Sequence, residues 1–138
     1  MVLRSVPRVL AGLLVCLAVL LTGCSSSTDA ATGSSSSASA PAGVPDGMGI
    51  VAASALPAEA RQTLALIDQG GPFPYARDGV VFGNFERELP SHQRGYYHEY
   101  TVRTPGSRDR GARRIVTGQG GEIYYTDDHY KSFRAVLR

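Results

Sequence analysis

Tyr96-Tyr97-His98-Glu99-Tyr100-Thr101-Val102-Arg103 is the stretch on which the fold turns. Aromatic and β-branched residues crowd it, and these types suit a pleated, half-buried surface. Gly95 precedes it and Thr104-Pro105-Gly106 follows it, so turns bound the run on both sides. Side chains alternate across a strand, which puts Tyr97, Glu99, Thr101 and Arg103 on one face. Tyr96, His98, Tyr100 and Val102 take the other. Glu99 therefore falls on the more polar face, where a proton acceptor would meet solvent. Shorter strand-like runs lie at Val80–Phe82, Arg113–Thr117, Ile123–Thr126 and Phe133–Leu137. In the Arg113–Thr117 run the alternation does not decide whether Arg113 or Arg114 shares a face with Glu99. Ahead of all these strands, Leu56–Ile67 has helical spacing, with Ala60, Leu64 and Ile67 on one apolar side. Pro57 and Glu59 suit its first turn, and Gly70-Gly71-Pro72 stops it. The pattern predicts an α+β fold with one N-terminal helix packed on a small antiparallel β-sheet.

The 138 residues divide into three segments. Arg4 and Arg8 precede an apolar run from Val9 to Leu21, a basic and then hydrophobic pattern of signal-peptide length, short for a membrane span. Leu21-Thr22-Gly23-Cys24 resembles the bacterial lipobox, which implies cleavage before Cys24 and lipid attachment to its thiol. An ordinary secretory signal with an incidental cysteine is the other reading of that run. Residues 1–24 are thus expected to be a lipoprotein-type signal, and residues 25–49, rich in Ser, Ala and Gly, a flexible linker. Residues 50–138 are the expected globular domain. The expected location is extracellular or at the cell surface, with the membrane met only through the lipid on Cys24, and the domain is expected to be monomeric. Both cysteines, Cys16 and Cys24, precede the domain, which must hold together by packing alone.

Charge alone says little about partners. Residues 50–138 carry twelve Lys and Arg against ten Asp and Glu, a balance too mild to indicate nucleic acid. The distribution is more telling. Arg103, Arg108, Arg110, Arg113 and Arg114 fall within a dozen residues, opposed only by Asp109. A carboxylate takes a proton, a histidine gives one, and arginines grip phosphate oxygens in pairs. Taken singly, Glu99 reads as a solvated strand residue and the arginines as a solvated edge. The three histidines lack ligand spacing and partner cysteines, so neither a metal nor another cofactor is expected.

The order of the motifs carries a resemblance. Ala55-Leu56-Pro57-Ala58-Glu59-Ala60, Gly71-Pro72-Phe73-Pro74-Tyr75, Asp78-Gly79-Val80-Val81-Phe82, Gly95 to Val102, Thr117-Gly118, Tyr124-Tyr125-Thr126 and Asp128-His129-Tyr130 follow in register. The chain resembles the guanyl-specific ribonucleases secreted by streptomycetes, within the microbial ribonuclease superfamily that includes barnase. The resemblance implies cleavage of single-stranded RNA 3′ of guanosine through a 2′,3′-cyclic phosphate. It implies Glu99 as general base, His129 as general acid, and Arg110 and Arg114 on the phosphoryl group. It also implies a base site in which Glu86 accepts from guanine N1 and N2. In that site backbone amides around Asn84 meet O6, Phe82 lies against the base and Tyr130 approaches the phosphate. A barstar-like protein inhibitor is the protein partner the resemblance brings with it.

Three departures bear on these expectations. Gly83 and Phe85 stand where the family commonly has Gln and Arg, and Phe85 is expected to stack in place of the guanidinium. The loop before Ile123 is one residue shorter. The family's terminal disulfide has no counterpart, since Ala52 occupies one expected position and the chain ends before the other. The last departure implies a stability lower than that of disulfide-bonded relatives by about 2–5 kcal/mol. The alternative reading is a catalytically weak RNA-binding or protein-interaction module that has kept the fold.

Overall fold

The computed structural model describes residues 44–138; the signal segment, Cys24 and most of the linker lie outside them. Strand β1 (Gly49–Ala52) leads through a 3₁₀ turn at Ala53–Ala55 into helix α1 (Ala58–Gln69). Five strands follow: β2 (Val80–Phe82), β3 (Tyr97–Thr101), β4 (Arg114–Gly118), β5 (Ile123–Thr126) and β6 (Arg134–Leu137). They form one sheet in the order β1-β6-β5-β4-β3-β2.

The helix begins later than the apolar spacing suggested. Pro57, at φ −52° and ψ 150°, stands outside as the cap, and the helix continues past Ile67 to Gln69. Gly70 ends it in the left-handed region at φ 75°, where a residue without a Cβ is unstrained. Its N–H donates to Ile67 O, and that of Gly71 to Leu66 O at 2.9 Å.

Strand β1 had no counterpart among the expected strands. It lies parallel to β6, with Gly49 opposite Arg134 and Ala52 opposite Leu137, while every other pairing is antiparallel. The sheet is therefore antiparallel with one parallel edge. Val44 and Met48, in the stretch read as linker, pack against core residues on the far face.

Strand alternation divides the interior in two. On the helix side, Leu56, Ala60 and Leu64 meet Val102, Ile115, Tyr125 and Val136. On the opposite face, Tyr97, Val116, Tyr124 and Ala135 lie beneath Phe82, Leu89 and Phe133. Register carries this second face onward: Glu99 stands opposite Val116, and Thr101 opposite Arg114. The apolar end of the face is roofed by aromatic rings, and its polar end becomes the site.

Candidate active site

Glu99 does not meet open solvent as its polar face suggested. It is only 6% exposed, between Tyr97 and Thr101 on a face that is buried throughout. The alternation assigned the right partners, but the loop through Tyr130 covers them. Tyr130 donates its hydroxyl to Glu99 Oε2 at 2.6 Å, and Arg114 Nε donates to the same phenol oxygen at 3.1 Å. Arg110 Nη2 stands 3.7 Å from Glu99 Oε1, and Arg77 Nε lies 4.0 Å from it. One carboxylate oxygen is thus held by a phenol while the other faces guanidinium groups. Burial and the carboxylate it serves both push the Tyr130 phenol above its usual range, so it remains a donor at neutral pH.

The two central arginines are held differently. Arg110 is about a third exposed and fixed by one side chain, with Nε and Nη2 donating to Thr101 Oγ1 at 3.0 and 2.6 Å. Arg114 is buried at 3% exposure, and its Nη1 donates to the carbonyls of Gly111 and Arg113 at 2.9 and 2.8 Å. Arg113 points away, with Nη1 3.9 Å from Glu59 in the first turn of α1. This resolves the strand alternation in favour of Arg114.

His129 and Tyr130 both adopt positive φ, 62° and 70°. Such backbone is uncommon outside glycine and needs external support. Asp128 supplies it. Its carboxylate accepts from Thr126 Oγ1, Lys131 N, Ser132 N and Ser132 Oγ at 2.6–3.0 Å. His129 N donates to Ala112 O at 3.2 Å, while its ring stays exposed beside Tyr130.

Phe82, Phe85, Glu86, Glu99, Arg110, His129 and Tyr130 line one cleft of about 300 Å³. The expected acid, base, cation and base-reading residues are thus brought together. Two expected residues stand outside that lining: Arg114, which meets it through the Tyr130 phenol, and Asn84. At φ 49° Asn84 turns its amide inward, donating to Leu89 O at 2.8 Å and accepting from Leu89 N at 3.1 Å. Its side chain braces the loop that carries Glu86, and with its backbone carbonyl accepting from Arg87 N, its backbone N–H is the polar group left to meet a base. Phe85 is 89% exposed and lies over Gly83, where a Cβ would overlap its ring.

The ribonuclease family model matches residues 39–137. The chain belongs to the ribonuclease family. It is 67% identical over 90 residues to guanyl-specific ribonuclease Sa3 of Kitasatospora aureofaciens, covering 64% of each chain, just under two thirds of that relative's length. It is 55% identical over 97 residues to guanyl-specific ribonuclease St of Saccharopolyspora erythraea, covering 70% of this chain and 96% of that one. Among solved structures, ribonuclease Sa2 in complex with mononucleotides superposes with a TM-score of 0.65 at 54% identity, covering 66% of this chain and 95% of its own. Ribonuclease Sa2 with guanosine-2′-cyclophosphate gives 0.62 at 53% identity, covering 65% and 96%.

Two residues of this family member were missed at the level of sequence. Thr101, which anchors Arg110, shares the Glu99 face and was legible by alternation. Arg77 sits in a loop with no periodicity to mark it. Asp78 ties that loop to β3, accepting from Thr101 N at 2.7 Å and Tyr75 N at 3.2 Å.

Asp128 has a measurable signature. Hydrogen bonds led by Ser132 hold its carboxyl down at about 2, against an ordinary value of 3.8. A depressed folded-state value contributes stability that is complete above the unfolded value and lost as pH falls through the folded one. Asp128→Asn should therefore lose less thermal stability than the parent between about pH 4 and pH 2. Parallel melting curves for the two proteins across that window would contradict this role.

Proposed function

We propose that this protein is a guanyl-preferring endoribonuclease, cleaving single-stranded RNA 3′ of guanosine by transesterification. Glu99 removes the proton from the ribose 2′-hydroxyl. The 2′-oxygen attacks the adjacent phosphorus, the bond to the 5′-oxygen of the next nucleotide breaks, and His129 delivers a proton to that oxygen. The product is a 2′,3′-cyclic phosphate, and water then opens it with the two roles exchanged. Arg110 and Arg114 stabilise charge on the phosphoryl oxygens, where prearranged donors act without reorganising. Tyr130 orients the Glu99 carboxylate and, through Arg114, links it to the phosphate site. RNA supplies its own nucleophile, so turnover in EDTA is expected.

The single observation that carries this reading is the shared cleft. Glu99, His129 and Arg110 line it together with Phe82, Phe85 and Glu86. Phosphoryl chemistry and base recognition thus lie within one nucleotide's reach. The relatives' names and the guanosine-2′-cyclophosphate complex of ribonuclease Sa2 support the same assignment. Glu86 presents acceptors to guanine N1 and N2, whereas adenine offers a different donor pattern at that edge. GpC should be cleaved well ahead of ApC, and Glu86→Gln should shrink that preference by about 100-fold or more. Equal rates on GpC and ApC for the parent would overturn guanine preference and keep the chemistry. No turnover on either would favour a binding module that retains the fold.

Export and anchoring complete the proposal. The basic and apolar N-terminal run with Cys24 suits a lipoprotein, leaving the monomeric domain at the cell surface on a Ser-rich tether. An open cleft rich in guanidinium groups also suits an acidic, barstar-like inhibitor. Mass spectrometry of the mature N-terminus tests the anchor: an unmodified terminus downstream of Cys24 would reject it.

A further inference from the structure

Beyond the Gly83–Phe85 wall lies a second cavity, of about 630 Å³, larger than the catalytic cleft. The two share Val81, Phe82, Gly83 and Phe85, but the second contains none of the catalytic groups. Arg87, His92 and Arg94 are among the residues that line only the second cavity, and no carboxylate lines it. The side chains of Arg87 and Arg94 make no ion pair among the described residues, although Glu86 and Glu88 flank Arg87 in sequence. Arg87 is held at φ 59°, with its N–H donating to Asn84 O at 3.0 Å. The side chains of Arg87 and Arg94 are exposed. The cavity therefore combines unpaired guanidinium groups with aromatic surface, continuous with a site that takes RNA.

We infer that this cavity binds the nucleotide on the 5′ side of the cleaved guanosine. The inference rests on the proposed reaction, because chain polarity fixes which neighbour goes where. The departing nucleotide must place its 5′-oxygen at His129, which lines the catalytic cleft and not the second cavity. The upstream nucleotide leaves guanosine from the opposite end of the ribose and runs toward the Phe85 side. Arg87 and Arg94 meet the phosphate that joins the two nucleosides, and the outer face of Phe85 receives the upstream base. Gly83 is part of this arrangement. A side chain there would displace the Phe85 ring that separates the two cavities. Stacking tolerates any base, so the site should be sequence-neutral.

The test compares binding of guanosine 3′-monophosphate with that of the dinucleotide product NpGp by calorimetry at low salt. NpGp should bind about tenfold more tightly, and the advantage should shrink as salt rises. In the double variant Arg87→Ala, Arg94→Ala the advantage should disappear, while guanosine 3′-monophosphate binds within about twofold of the parent. Affinity for the mononucleotide reads the catalytic cleft by itself, so a defect there is distinguishable from a missing upstream site. Equal affinities of the two ligands for the parent, or an undiminished advantage in the double variant, would overturn the inference.

Discussion

Glu99→Gln is expected to lower kcat on GpC by about 10²–10⁴-fold while changing KM by less than about threefold. The substitution keeps the shape of the side chain, and the amide oxygen still accepts from Tyr130. What it removes is the capacity to take a proton. Phe82 and Glu86, proposed to read the base, lie elsewhere in the cleft and are untouched, so substrate binding should survive. His129→Ala should produce a loss of similar size by a different route, because it removes the proton donor for the leaving oxygen. A substrate with an activated leaving group, such as a 4-nitrophenyl ester of guanosine 3′-phosphate, needs no such donor. It should restore most of the rate to His129→Ala and little to Glu99→Gln. If both variants recover alike, or neither loses activity on GpC, the division into base and acid is wrong.

The grouping of these side chains was readable from sequence in part. Period-two alternation placed Tyr97, Glu99 and Thr101 on one face, and the register bears this out. Alternation cannot say which face is covered, because the cover comes from a loop thirty residues away. Glu99 therefore read as solvated when Tyr130 covers it, and Thr101 when Arg110 does. The same limit explains Arg113 and Arg114: adjacent residues point to opposite faces, and only the neighbouring strand decides which face holds the site. Strand β1 was invisible for a related reason. Gly49-Ile50-Val51-Ala52 has no alternation of its own, and its partner in β6 is more than eighty residues away. Local patterns reveal hairpins; they do not reveal a parallel edge closed across the whole domain. The helix, whose stop is written in Gly70 and Gly71, was legible to within two residues. Arg77 was not legible at all, since its contact with Glu99 depends on how Asp78 pins an irregular loop.

Arg114 and Arg110 should separate stability from catalysis. Arg114→Ala is expected to destabilise the domain by about 2–4 kcal/mol and to lower kcat by about 10²-fold or more. Arg114 is buried, and its loss leaves the carbonyls of Gly111 and Arg113 without their side-chain donor and Tyr130 without its guanidinium. Among the described residues no carboxylate lies within 4.0 Å of it. Its charge is thus compensated by carbonyl dipoles and, through the Tyr130 phenol, by Glu99. Lysine has three donors on one nitrogen and cannot span these acceptors, so Arg114→Lys should recover little of either property. Arg110 is more exposed; its side-chain hydrogen bonds go to Thr101 Oγ1, and Nη2 also stands 3.7 Å from Glu99. Arg110→Ala should cost a comparable factor in kcat but less than about 1 kcal/mol of stability. Urea unfolding beside single-turnover rates reads both quantities on the same samples. Were the two variants to lose stability equally, the carbonyl contacts of Arg114 would not be holding the 110–113 loop. Full activity in Arg114→Ala would remove that side chain from the phosphate site and leave it a structural brace for Tyr130.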